Sequence, residues 1–399
     1  MAVQPNRQGP VIVLVSGLLL LAGSTASVAA PFLPKDDDEI LEYLPASAGA
    51  DRELRDQQRT LRQNPRNLAL ATRVARALIG RGRSEADPRY YGYAQAALLP
   101  WWEEPSPPPA VGVLRATLRQ HRHDFQGALT DLAAVLALQP RNAQARLTRA
   151  VILGVRGAPE AALRECLLLS RLVNTLAAAT CIGNAAGLTG QAPQGYRLLR
   201  EALEQSANAG GEEALWALTV LAEIAARQGW PQVAKRHFQQ ALAYQLRDVY
   251  LLGAYADFLL DEGRPAEVVQ LLKEDTRPDG LLLRLTLAER QLGSAAFPDH
   301  TAALDARMAA NRRRGDTRHL REEARYYLHV RDQPKRALAL AVANWTVQRE
   351  PADARLVLEA ALAAGDNKAA APVVRWLEAT GLQDVYLIAL SKRLQEVGG

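Results

Sequence analysis

Cysteine, methionine and lysine are all scarce in this sequence. It has two cysteines and two methionines, and aromatic residues make up 6% of its 399 positions. Nearly all of the positive charge is arginine, interleaved with aspartate and glutamate rather than gathered into long basic runs. The formal net charge of +5 therefore does not indicate phosphate binding, and we expect no nucleic-acid partner.

Motifs of the familiar enzyme classes are missing as well. The sequence has no His-Glu-x-x-His, no Gly-x-Ser-x-Gly, no phosphate loop ending in Gly-Lys-Ser/Thr and no Cys-x-x-Cys. His121 and His123 with Asp124 could offer metal ligands, but no further ligand is evident, so we interpret them as solvated capping residues. We predict a protein that is not an enzyme and uses no metal or cofactor.

The first 30 residues have the pattern of an export signal. Arg7 is their only charge, Val11–Leu21 is an apolar run, and the small residues before Ala30 offer a cleavage site, with cleavage preferred after Ala29. A retained membrane anchor is the alternative, although the apolar run is about half of the roughly 20 residues that span a bilayer. We expect a periplasmic or secreted protein that contacts a membrane only if this segment is retained.

Strand signals are absent, whereas residues 113–142 contain a helix pair that recurs along the chain. Val113–Gln120 predicts a short helix, His121–Asp124 a corner, and the next residues a second helix that stops near Pro140. Because the corner is short, the two helices must lie antiparallel. The apolar stripe of the second helix consists of Phe125, Ala128, Leu132, Val135, Leu136 and Leu138.

Four later corners share one sequence pattern, a glycine followed two or three residues later by a proline. Gly157 and Gly190 are 33 positions apart, and Gly229 and Gly263 are 34 apart. A glycine that ends one helix with a positive φ and a proline that opens the next explain the pattern. The four corners are Gly157/Pro159, Gly190/Pro193, Gly229/Pro231 and Gly263/Pro265.

These pairs resemble tetratricopeptide repeats (TPR), with Ala128 at the small position where paired helices touch and Pro140 at the terminating position. The resemblance implies an all-α, right-handed superhelical solenoid of antiparallel helix pairs. Each pair would bury its apolar side only against the adjoining pair. The resemblance is strongest between Leu114 and Leu272 and looser elsewhere.

The regularity of this pattern divides the chain. Residues 1–30 are the export signal, and residues 31–52 form an acidic leader, either a solvated tail or a partner-docking segment. Residues 53–109 predict a divergent helix pair and a proline-rich loop, and residues 110–275 predict the regular array. Residues 276–399 predict looser repeats that end in a capping helix.

The two cysteines fall on neighbouring helices of the implied fold. Cys166 lies on the second helix of one repeat and Cys181 on the first helix of the next. Their 15-residue separation returns the chain to about the same height, so we expect a structural disulfide in an exported protein. Two buried unpaired cysteines and a redox-active pair are the alternatives.

In arrays that this chain resembles, the first helix of each pair lines a concave groove that binds peptides or a partner's helix. The polarity of the corresponding residues is mixed, so no ligand of a single charge is indicated, and any one of them could be plain solvated surface. The groove candidates are Arg115, Gln120, His121, Gln144, Thr148, Val151, Asn184, Glu223, Arg227, Tyr250 and Asp257.

The densest group of aromatic residues is a second candidate site. It could pack as core, or it could present exposed anchors to a partner. This aromatic cluster consists of Arg89, Tyr90, Tyr91, Tyr93, Trp101 and Trp102.

We therefore expect a non-catalytic, exported scaffold that binds another protein or peptide in the bacterial cell envelope. The alternatives are a small-ligand binder or enzyme that uses the aromatic cluster, and a membrane-anchored accessory subunit of an envelope complex.

Overall fold

The computed structural model describes residues 49–206, 210–315 and 319–398, and every regular element in these ranges is a helix. The all-α class predicted from the sequence is confirmed. The export signal and all but the last residues of the acidic leader lie outside the described residues. Within the described ranges, no helix combines the length and the apolar character needed to cross a membrane.

The helices are short and follow one another closely along the chain. They are α1 Gly49–Gln63, α2 Leu68–Glu85, α3 Arg89–Ala97, α4 Leu99–Trp102, α5 Pro109–His121, α6 Phe125–Leu138, α7 Ala143–Val155, α8 Pro159–Leu169, α9 Thr175–Ala186, α10 Ala192–Glu204, α11 Gly211–Arg227, α12 Pro231–Leu242, α13 Val249–Asp261, α14 Pro265–Leu272, α15 Asp279–Leu292, α16 Phe297–Arg313, α17 Leu320–His329, α18 Pro334–Trp345, α19 Pro351–Ala364, α20 Ala371–Thr380 and α21 Val385–Gly398.

From α5 onward the helices pack as consecutive pairs, and α21 follows the last pair without a partner of its own. The odd-numbered helices from α5 to α19 are the first helices of these pairs, and each packs against the next first helix in the row. We call the side chains that these helices present away from their paired second helices the first-helix surface.

Local sequence explains where the helices begin. Asn142, Asn174 and Asp248 cap first helices, because each side chain accepts a hydrogen bond from a backbone N–H in the first turn. Several second helices open with proline, as Pro159 does for α8 and Pro231 for α12. Proline is favoured at this position because a backbone N–H in the first helical turn has no acceptor within the helix, so the N–H that proline lacks is not needed.

The corner glycines behave as predicted at three of four positions. Gly157, Gly229 and Gly263 have φ of 75°, 73° and 65°. The prediction is wrong for Gly190, which is not among the residues with positive φ. Helix α9 already ends at Ala186, and Gly187 caps it in the right-handed region, so the chain turns through a longer corner.

The apolar core is a row of clusters that follow the pairs along the chain. Ala128, at the predicted close-contact position, is fully buried, and Ala150 and Ala162 at the corresponding positions of the next pair are at most 4% exposed. Small side chains there let the paired helices approach each other closely. Burial between adjoining pairs is therefore as the repeat pattern predicts.

One group of contacts departs from that prediction. The Arg349 backbone N–H donates to the Val155 carbonyl at 2.8 Å, and α2 packs against α13. The expectation that each pair buries its apolar side only against the adjoining pair is wrong at Val347, which packs against the α5–α7 cluster. The row of pairs curves enough to bring its later members back against its earlier ones.

Candidate functional site

Side chains of α11 and α13 meet on the first-helix surface at Tyr250. The Tyr250 hydroxyl donates a hydrogen bond to the Glu223 carboxylate at 2.6 Å, while 62% of Tyr250 remains exposed. Burial raises the pKa of Glu223, against the opposing effects of the Arg227 guanidinium and of the Tyr250 hydrogen bond. The result is an exposed aromatic ring held in one orientation, a form common among contact residues of protein interfaces.

Asp257 links three neighbouring first helices. Its carboxylate accepts hydrogen bonds from Arg284 of α15 at 2.5 Å and from Arg325 of α17 at 2.6 Å. Burial acts to raise the pKa of Asp257, but the two guanidinium groups outweigh it and lower this pKa to about 2. The carboxylate therefore stays charged throughout the physiological range.

A second ionic network joins α19 to α13. Arg355 of α19 donates to Asp261 of α13 at 2.7 Å and to Glu359 at 2.6 Å, and Glu359 also contacts His329 Nε2 at 2.9 Å. Directly packed helices lie about 8–10 Å apart, and α15 and α17 separate α13 from α19 in the row. A direct ion pair between Arg355 and Asp261 therefore requires the first helices to curve sharply.

Sequence reasoning missed most of these charged residues. They lie in the segment where the repeat pattern is weak, so no motif indicated which positions face the groove. The sequence carries only a weaker signal for these residues, because arginine and glutamate recur on the predicted first helices. The missed residues are Asp261, Arg284, Arg325, His329, Arg355 and Glu359, together with Arg321 and Glu350, which form a further ion pair at 3.0 Å.

The groove candidates of α7 and α9 lie beside the disulfide. Gln144 is exposed and donates to the hydroxyl of the buried Thr148 at 3.2 Å. Val151 and Asn184 line a cavity of about 10 Å³, at the lower limit for one water molecule. The bonded Cys166 and Cys181 form part of the wall of the same cavity, with their Cα atoms 5.4 Å apart.

The candidates of α5 are placed differently. Arg115 is 4% exposed, and its guanidinium donates to the Asp131 carboxylate at 3.0 and 2.7 Å. It also donates to the Trp102 carbonyl at 2.5 Å, so it holds the core together and is not open to a partner. Gln120 and His121 are half-buried.

The surroundings of His121 predict that the stability of the folded protein depends on pH. Burial, with the nearby Arg83 and His123, lowers the pKa of His121 to about 4 from 6.5, and its ring stacks on Tyr91 at 4.0 Å. The folded state favours the neutral ring, so the unfolded chain binds the proton more readily. We expect the contribution of His121 to the free energy of unfolding to be complete above pH 6.5 and to decrease as the pH falls toward 4.

The measurement is the urea midpoint between pH 7 and pH 4 for the wild type and for His121→Phe, which keeps a ring against Tyr91. The difference between the two curves isolates the histidine from the carboxylates that titrate in the same range. Parallel curves would contradict the assignment.

The structure divides the aromatic cluster between core and surface. Trp101 and Trp102 are 6% and 8% exposed and pack in the N-terminal core, with Tyr90 and Tyr91 half-buried beside them. Tyr93 is 54% exposed, and Arg89 forms an ion pair with Asp87 two residues before it. The cluster therefore does not present one continuous binding face.

The histidines at the α5–α6 corner have structural contacts. His123 stacks on Phe125, and Asp124 caps α6 by accepting the Gly127 N–H at 2.9 Å. In the part of the chain that the structure describes, no three side chains of histidine, cysteine, aspartate or glutamate come together as metal ligands.

No protein-family model matches this sequence, and a comparison with curated proteins finds no match. A chain of the APC/C hetero-tetramer Cut9-Hcn1 is 14% identical, with a TM-score of 0.38, over 86% of this chain and 52% of that chain, so this chain spans about half its length. The P58(IPK) TPR domain is 15% identical, with a TM-score of 0.23, over 82% and 97% of the two chains.

Yeast Tom70 is 9% identical, with a TM-score of 0.22, over 82% of this chain and 96% of that chain. At such values the likenesses carry no argument about what this chain does. Its own helix pairs define the fold, and the contacts of its own side chains define the candidate site.

Proposed function

We propose that this chain is a non-catalytic scaffold that binds another protein or peptide on its first-helix surface, centred on α11 and α13. The observation that carries the proposal is Tyr250, an exposed aromatic side chain whose hydroxyl Glu223 holds in place. Binding a partner therefore costs less conformational entropy at Tyr250, because this side chain is already oriented in the free protein.

The setting we propose is the bacterial cell envelope. The pattern of residues 1–30 supports export. The Cys166–Cys181 bridge also supports it, because structural disulfides persist in oxidising compartments. N-terminal sequencing of the mature protein distinguishes cleavage after Ala29 from a retained anchor.

The aromatic cluster supports a small-ligand site less well. A filled N-terminal core occupies the space where such a ligand would have to stack on Trp101 and Trp102. We therefore place the partner at the first-helix surface.

The test is partner capture from an envelope extract, followed by affinity measurement with the captured protein after purification. Tyr250→Ala is expected to weaken binding at least about tenfold, because an aromatic hot spot is worth roughly 2 kcal/mol or more. Tyr244→Ala is the matched control, since Tyr244 is 43% exposed but lies on the loop between α12 and α13. Equal binding by the wild type and both variants would overturn the proposed surface.

A further inference from the structure

The segment 347–386, which includes α19 and α20 and reaches into α21, lies across the corners of four earlier helix pairs. We call this segment the clasp. Its contacts fall at the predicted corners in chain order, from the α7–α8 pair to the α13–α14 pair. At three of the four corners the contacts are hydrogen bonds: Arg349 N–H to Val155 C=O at 2.8 Å, Arg156 Nη1 to Val347 C=O at 3.2 Å, Trp376 Nε1 to Gly157 C=O at 3.1 Å, Gln228 Nε2 to Gln383 C=O at 3.0 Å, and Tyr386 hydroxyl to Glu262 at 3.4 Å.

The corner glycines leave room for the clasp. A Cβ atom at Gly157 would lie 2.7 Å from the Arg349 Cβ and 2.9 Å from the Trp376 Nε1. A Cβ at Gly190 would lie 3.5 Å from the Gly381 carbonyl oxygen. Gly190 lacks the positive φ predicted for it, and 3.5 Å is an ordinary contact distance, so the Gly381 backbone passes this corner without requiring a glycine there.

The contacts between the clasp and the corners are mostly polar. Among the described residues, the buried apolar cluster of α15–α21 is separate from those of α5–α9, while Leu260 of α13 packs against both this cluster and that of α9–α15. Val347 is the one clasp side chain that packs against the α5–α7 cluster. Val385 lies against the Gly229 corner in the same way. An interface made mainly of single hydrogen bonds, with few apolar contacts, opens at a lower free-energy cost than the helix pairs on either side of it unfold.

Ion pairs across the first-helix surface reinforce the closed arrangement. Arg355 reaches Asp261 of α13 from α19, and Arg325 reaches Asp257 from α17. If the clasp left the corners, α19 would move away from α13. The first-helix surface beside Tyr250 would then widen.

We propose that the clasp is a latch, closed in this structure, that leaves the corners together with the helices of the α15–α21 core on which it packs, while the helix pairs stay folded. Its opening controls the access of a protein partner to the first-helix surface. The control of access rests on the proposed function, whereas the opening itself is a property of this chain alone.

The test compares two glycine substitutions with the same backbone cost. Gly157→Ala strains a corner with φ of 75° and also drives a Cβ into Arg349 and Trp376. Gly263→Ala strains an equivalent corner with φ of 65° that has no atom within 4 Å of the added Cβ. The readout is hydrogen exchange of the Arg349 amide, whose hydrogen bond to the Val155 carbonyl is broken when the clasp leaves the corner, without any partner present.

We expect exchange of the Arg349 amide to be at least about tenfold faster in Gly157→Ala than in Gly263→Ala, with exchange in α5–α6 and within α19 alike in the two variants. Equal exchange of the Arg349 amide in the two variants would overturn the proposal. So would acceleration throughout the array in Gly157→Ala alone.

Wild-type protein supplies a second measurement that depends on no variant. In native-state exchange at increasing urea, the Arg349 amide should open at a lower free energy than the amide of Val357, which is buried within α19. A common opening free energy for both amides would overturn the latch while leaving the proposed function untouched.

Discussion

Replacing Asp131 with alanine is expected to lower the free energy of unfolding by about 3–5 kcal/mol, the usual cost of removing one partner of a buried ion pair. Asp131 is 6% exposed and accepts hydrogen bonds from Arg115 and from Arg119. Without the carboxylate, the Arg115 guanidinium stays buried with its charge uncompensated. Urea unfolding followed by circular dichroism measures the loss.

Two further variants separate charge from packing at this site. Asp124→Ala removes an aspartate of the same helix pair that caps α6 and forms a partly exposed ion pair with Arg119 at 3.6 Å, so a loss of about 1 kcal/mol is expected. The double variant Arg115→Met/Asp131→Leu replaces both charges by apolar side chains and should be nearer to the wild type than Asp131→Ala is. If Asp131→Ala lowered the free energy of unfolding by less than about 1 kcal/mol, the Arg115–Asp131 ion pair would not be needed for stability.

Reduction of the Cys166–Cys181 bridge is expected to lower the free energy of unfolding by about 3 kcal/mol, the value for a closed loop of about 15 residues. Both cysteines are at most 4% exposed, so the bridge joins α8 to α9 inside the core. Urea unfolding of the wild type with and without reductant gives the difference.

The variant Cys166→Ala/Cys181→Ala is the control for this measurement. It should unfold at the same urea concentration with and without reductant, close to the reduced wild type. If the reduced and oxidised wild type were equally stable, the bridge would contribute nothing to holding these pairs together.

The candidate site could be predicted only in part. Tyr250 and Asp257 were placed on first helices from the repeat register, and both lie among the contacts of α13. Arg115 was placed by the same register, yet it is buried, because its partner Asp131 comes from the second helix of the pair. A helical period gives the angle of a side chain on its own helix, but not what the next helix brings to it.

The sequence by itself determined the helices, their pairing and most of their corners. These features depend on neighbours along the chain: caps such as Asn142, prolines such as Pro159, and glycines such as Gly157 that accept a positive φ. The antiparallel pairing follows from the short connections. A disulfide between helices adjacent in that order could be expected for the same reason.

Only the tertiary structure decided that the clasp returns to the corners and that Arg355 meets Asp261. Such contacts depend on the rotation between one pair and the next, added over several pairs. Each rotation is set by the sizes of many side chains packed at one interface, so a small difference at every step moves α19 by many ångströms. No local pattern records that sum, and for this reason the curvature and the charged network it creates appear only when all the pairs are packed together.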